Sequence, residues 1–189
     1  MRHGRLPWYT PDGLSEQQRA IYDGVLAKYG PEPPFALHDD AGRLHGPFNA
    51  MLAAPEVGAA WQRLSAAVGA TATLSPRVRE LVILTVATIR KSAFEWSAHR
   101  RAGLAAGLTE AEIAALGRNR TPESLSAPER AALDFARSLL RDRDADDPEY
   151  AAVRTGFGDA GAVELIVLVG YYDMLATLLR TLRVPVPED

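Results

Sequence analysis

An all-α fold, a helical bundle with an N-terminal helical extension, is predicted for this 189-residue chain by three features. Helix-capping signals recur along the sequence. The apolar residues between them follow helical rather than alternating spacing. Only one segment, "LVILTVATI", could be read as a strand, and it follows a serine and proline that open a helix.

Taken in order, Ser15 with Gln18 ("SEQQ") opens a helix over 15–29. Residues 30–45, "GPEPPFALHDDAGRLH", form a long proline-rich loop, the kind that serves as an arm or functional edge. Helices follow at 46–55 and 56–71. Ser75 before Pro76 starts 76–90, and "SAFE" starts 92–106. Thr109 with Glu112 and Ser126 with Glu129 match the capping box and open 109–117 and 126–141. Two further helices are expected at 148–157 and 161–182, after the acidic, solvated loop "RDRDADDPEY". The organisation read from this is an extension over 1–45 and a helical domain over 46–189.

Composition narrows the function. Hydrophobic residues make up 47% and charged residues 24%, enough apolar material for a core. The net charge of −3, without clustered basic surface, argues against nucleic acid or an anionic membrane as partner. Cysteine is absent, so thiolate nucleophiles, disulfides and sulfur-ligated metals are excluded. The first residues lack a signal-like apolar core, and no uninterrupted apolar run reaches the roughly 18–20 residues of a membrane span. The longest, "VELIVLVGYYDMLATLL", is broken by Gly170 and Asp173. A cytoplasmic location is expected. No metal or cofactor is expected either, because histidine pairs at ligand spacing and glycine-rich phosphate loops are both missing. His3 is expected in a mobile terminus, and His38 and His45 flank the long loop.

One helix concentrates chemistry. At about 100° per residue, Ser92, Glu95, Trp96 and His99 share a sector of roughly 100°. Glu95 and His99, four apart, can touch. Glu80 on the preceding helix can face the same cavity. A histidine takes or gives a proton near neutral pH, a carboxylate fixes its tautomer, and an indole wall lowers the local dielectric. The competing structural reading is equally concrete: Ser92 and Glu95 form a capping box, and Trp96 is core. Arg100 is a candidate anion ligand or a surface ion pair. Tyr171 and Tyr172 are core or interface residues.

The stretch "RELVILTVATIRKSAFEWSAHRRAGLAAGLTEAEIAAL", 79–116, resembles the core of the carboxymuconolactone decarboxylase family, within the alkylhydroperoxidase D-like superfamily. Glu80, the Glu95–Trp96 pair, His99 and "GLTEAEI" carry the likeness, with 46–64 and 164–187 similar to flanking helices. The resemblance implies an all-helical fold and a homotrimer or homohexamer. In the peroxidase branch a C-x-x-C pair precedes the histidine; here those positions hold Ser92 and Glu95. The decarboxylase branch lacks that requirement, and the resemblance to it implies a cofactor-independent lyase acting on a small carboxylated lactone or related acid. The substrate's own unsaturated carbonyl accepts the electrons as carbon dioxide leaves. On this reading His99, Glu80 and Glu95 are catalytic, and Trp96, Phe48, Ser92 and Arg100 contact substrate. An isomerase or hydrolase using the same pair, or a non-catalytic helical oligomer, are the alternatives.

Overall fold

The computed structural model describes residues 1–31, 33, 35–70 and 73–187. Eight helices carry the fold among them: α1 Glu16–Tyr29, α2 Gly46–Ala53, α3 Pro55–Gly69, α4 Pro76–Arg90, α5 Ala93–Ala105, α6 Glu110–Gly117, α7 Ala127–Asp142 and α8 Asp147–Thr181. "LVILTVATI" lies wholly within α4. The expected end of the third helix at residue 71 lies outside the described residues. The two expected C-terminal helices are joined into α8 across a kink at Gly158, where φ is 69°. Only glycine takes that backbone cheaply.

The caps explain the helix starts. Ser15 accepts the Gln18 N–H while Gln18 reaches back, and Thr109 and Glu112 do the same for α6. Ser75 accepts the Val78 N–H at 3.2 Å. Glu129 accepts the Ser126 N–H at 2.8 Å. Each bond satisfies a backbone donor that a helix start leaves unpaired.

The chain divides into two units. The first comprises Met1–Gly69 and Leu178–Asp189, the second Ala70–Thr177, so α2 and α3 group with the N-terminal segment. In the first unit α1, α2 and α3 pack mutually around Ile21, Val25, Met51, Leu52 and Trp61. Its N-terminus is not the mobile tail expected. Two short strands, β1 Arg2–His3 and β2 Leu6–Pro7, pair antiparallel. His3 is buried, stacked on Trp8, and its Nε2 accepts the Gly46 N–H at 3.0 Å. A ring held between an indole and a helix start is fixed by packing that spacing does not show.

In the second unit α4 is central, packed on α5, α6 and α7. Leu81 and Leu84 meet Leu108, Ile113, Leu116, Leu125 and Leu133 in one cluster, with Trp96 and Leu104 against it. Burial of such side chains stabilises by about 1.5–3 kcal/mol each. By length and composition α8 could cross a bilayer, contrary to the expectation above. Its buried residues Leu165, Leu168, Leu175 and Ala176, and its Asp173 bound to two arginines, are those of a core helix.

Candidate active site

The corner between α4 and α5 builds the site. Lys91 closes α4 in the left-handed conformation, φ 54°, and the Ser92 N–H returns to the Ala87 carbonyl at 2.8 Å. This is the hydrogen-bond pattern of a helix C-cap, here followed at once by the next helix. Ser92 is therefore pulled to ψ 94°, whereas the capping residues Ser15, Thr109 and Ser126 lie at 167°, 158° and 164°. With the backbone turned away, its hydroxyl makes no cap bond. The "SAFE" capping box does not form, and Glu95 does not cap α5.

His99 meets Glu80. Its Nδ1 lies 2.8 Å from Glu80 Oε2, and the side chains are 21% and 14% exposed. A carboxylate only accepts, so Nδ1 carries the proton and Nε2 presents the lone pair. Among the described residues no other hydrogen bond occupies that ring. The edge-to-face ring of Tyr172, 5.0 Å away, holds the imidazole from a second side. Of the two acids expected beside His99, Glu80 is thus the one in contact.

Glu95 goes inward. It is 2% exposed, and neither carboxyl oxygen has a hydrogen-bond partner. Burial pushes its pKa up to about 8; the nearby Asp173 charge adds to this and the adjacent Ser92 hydroxyl, not aligned for a full hydrogen bond, opposes it. Asp173 itself is held by Arg90, and by Arg143 at 2.6 Å. Glu95 is therefore a largely neutral acid at pH 7, because an unpaired buried carboxylate is costly.

A cleft of about 450 Å³ opens at this corner, lined by Thr88, Lys91, Ser92, Trp96 and Gly117 together with Ala87 and Ala93. A Cβ at Gly117 would lie 3.0 Å from the indole of Trp96, so the glycine gives Trp96 its seat. His99, Glu80 and Glu95 are outside this lining. Arg100 is turned to solvent, with Glu110 at 2.8 Å, the surface-pair alternative for that residue. Phe48 lies in the first unit, where Tyr29 and Phe35 take up its ring at 5.3 and 5.9 Å. Sequence reasoning passed over Thr88 and Lys91; the signal for Thr88 was its place four residues before Ser92. Among the described residues no three histidine or acidic side chains form a metal-binding group.

Residues 55–138 match the model of the Carboxymuconolactone decarboxylase family. The matched segment spans less than half of the chain. It carries Glu80, Ser92, Glu95, Trp96, His99 and Arg100, and leaves Phe48 and Tyr172 outside. Among curated proteins none matches the chain. Solved structures share the fold of this chain. A protein of unknown function from Agrobacterium tumefaciens is 24% identical, with TM-score 0.68, over 75% of this chain and 97% of that one. The alkylhydroperoxidase AhpD core of an uncharacterized peroxidase-related protein from Ralstonia eutropha is 16% identical, with TM-score 0.80, over 100% and 94%. The debrominase Bmp8, as a cysteine-to-alanine variant in complex with 2,3,4-tribromopyrrole, is 13% identical, with TM-score 0.70, over 91% and 86%. The AhpD-like fold is therefore present here in a chain without cysteine.

Proposed function

We propose that the chain is a cofactor-independent lyase that decarboxylates a small carboxylated lactone or related acid through proton transfer at His99. The observation that carries this reading is the 2.8 Å contact of His99 with Glu80 on a half-buried surface. Glu80 positions the ring, leaving Nε2 as the point where a proton enters and leaves. As the carboxylate departs as carbon dioxide, its electron pair moves into the ring's unsaturated carbonyl. His99, having taken up a proton from solvent at Nε2, then delivers it to carbon, a step that needs no thiol. Trp96 and Ser92 are the substrate contacts, and Glu95 is a second acid in reserve behind Ser92. That a debrominase of this fold holds a tribromopyrrole supports a small planar ring as ligand.

Assembly as a homotrimer or homohexamer belongs to the same proposal. The stripe Val163, Ile166, Val167 and Met174 on α8, each between 42% and 60% exposed, supports it, since monomers rarely leave such rows in water.

Carbon dioxide release from a panel of unsaturated γ-lactone carboxylates tests the reading. His99→Ala is expected to lower turnover by about 100-fold or more, and Glu80→Gln by about 10-fold, both with unchanged helicity. Full turnover by His99→Ala would remove the imidazole from the reaction. Isomerised lactone without carbon dioxide would move the chain to the isomerase reading with the same pair.

A further inference from the structure

The N-terminal hairpin of β1 and β2 is fastened in two places. At the start of α2, His3 Nε2 accepts the Gly46 N–H at 3.0 Å and Trp8 Nε1 donates to the Leu44 carbonyl at 2.9 Å. The buried Asn49 donates to the Pro7 carbonyl and accepts the Tyr9 N–H, at 3.0 and 3.1 Å. Beyond the end of α8, the Arg5 N–H donates to the Leu182 carbonyl at 2.7 Å. Gly4 lies so close to the Leu182 and Arg183 carbonyls that a Cβ would sit 2.4 Å from each. Within the first unit, the hairpin thus ties the start of α2 to the segment after α8.

One link in this fastening is titratable. A backbone N–H only donates, so the His3 Nε2 that receives it is a bare lone pair, and a proton placed there sets two donors face to face. The ring is 2% exposed, with Trp8 stacked at 4.9 Å and His45 at 5.5 Å. Its surroundings do not favour a charge. Arg2 and Arg5 on the hairpin are cations, as is Arg43, which lies over the Trp8 ring at 4.1 Å. From the loop before α2 come His38 and Asp39, and Asp39 is already held by Arg43 Nε at 2.8 Å. Burial first, and His45 second, push the His3 pKa down to about 4, with Asp39 opposing.

We infer that the hairpin is an acid-released clasp: a proton on His3 Nε2 breaks its bond to Gly46, and the hairpin leaves the start of α2 and the end of α8 while the helices stay folded. The released ring titrates near the ordinary 6.5 and the clasped one near 4. The closed form is therefore fully favoured above about pH 6.5 and loses about 10-fold per pH unit as pH falls toward 4. His45, whose Nδ1 is buried without a partner and whose pKa burial also lowers, adds to the response in the same sense. The clasp is independent of the chemistry proposed at His99.

Amide hydrogen exchange of the full chain, read by NMR and corrected for the intrinsic rate, tests it. From pH 7.5 to pH 5.5 the Arg5 and Gly46 amides are expected to exchange at least about 10-fold faster, while Leu84 in the core of α4 does not follow. His3→Gln keeps a neutral acceptor and is expected to remove that ten-fold share. A second reading needs no variant: the nitrogen spectrum of the wild-type His3 ring is expected to show a neutral imidazole protonated on Nδ1 at pH 5.5. Equal exchange at the two pH values, or a His3→Gln chain that accelerates as much as the wild type, would overturn the inference. So would a His3 ring already charged at pH 5.5, or Leu84 accelerating in step with the hairpin, which would mean that acid unfolds the whole chain.

Discussion

Glu95 shows how much one backbone angle decides. Residue spacing allows it to cap α5, to touch His99, or to do neither. Because the α4–α5 corner turns Ser92 to ψ 94°, the cap is lost and the carboxyl is buried without a partner. Its pKa of about 8 lies above the ordinary 4.5, so the native state holds this proton more tightly than the unfolded chain. The stability tied to it is complete below about pH 4.5 and is lost as pH rises through 8, by roughly 5 kcal/mol at most. Glu95→Gln, which cannot ionise, is expected to melt higher than the wild type at pH 8.5 and near it at pH 5. A difference in melting temperature that does not change with pH would show that the carboxyl is not buried as an acid. His99 was legible from the sequence because helical periodicity puts it on one face with Ser92, Glu95 and Trp96. Which of two nearby acids it takes was not legible, since both lie within reach by spacing.

Among the elements, α4, α6 and α7 are joined by one side chain. Arg77 bonds Glu112 through both terminal nitrogens, at 2.6 and 3.2 Å, and Glu129 through Nε at 2.7 Å. Each of these acids also caps its own helix, so one guanidinium fixes two helix starts. The Arg77 hydrogen bonds, helped by Ser124 and Thr109 and opposed by partial burial, lower the Glu112 pKa to about 2. The stability this gives is present above about pH 4.5 and lost as pH falls toward 2. Arg77→Ala leaves Glu112, 4% exposed, as a buried unpaired carboxylate and is expected to cost about 3 kcal/mol at pH 7. The loss in urea unfolding should shrink on going to pH 3; an equal loss at both would mean that packing rather than charge is at stake. Each capping box was readable as a local pattern of four residues. The arginine that serves two of them, 35 and 52 residues away in sequence, was not.

For the whole molecule, the absence of cysteine sets the widest limit on chemistry. The fold is shared with peroxidase-related proteins, yet no thiolate can form anywhere in this chain. A hydroperoxide with a dithiol donor is therefore expected to give no turnover above background in a coupled assay, and a robust thiol-dependent rate would contradict this. Fold class, helix starts and the excluded chemistries were determined by the sequence alone, because capping, periodicity and the absence of a residue type are properties of neighbours along the chain. Tertiary structure alone decided that His3 is buried, that Glu80 rather than Glu95 holds His99, and that Thr88 joins Ser92 at the cleft. Those outcomes depend on how separate segments meet, where packing and the loss of solvent select one contact among several that spacing leaves equally open.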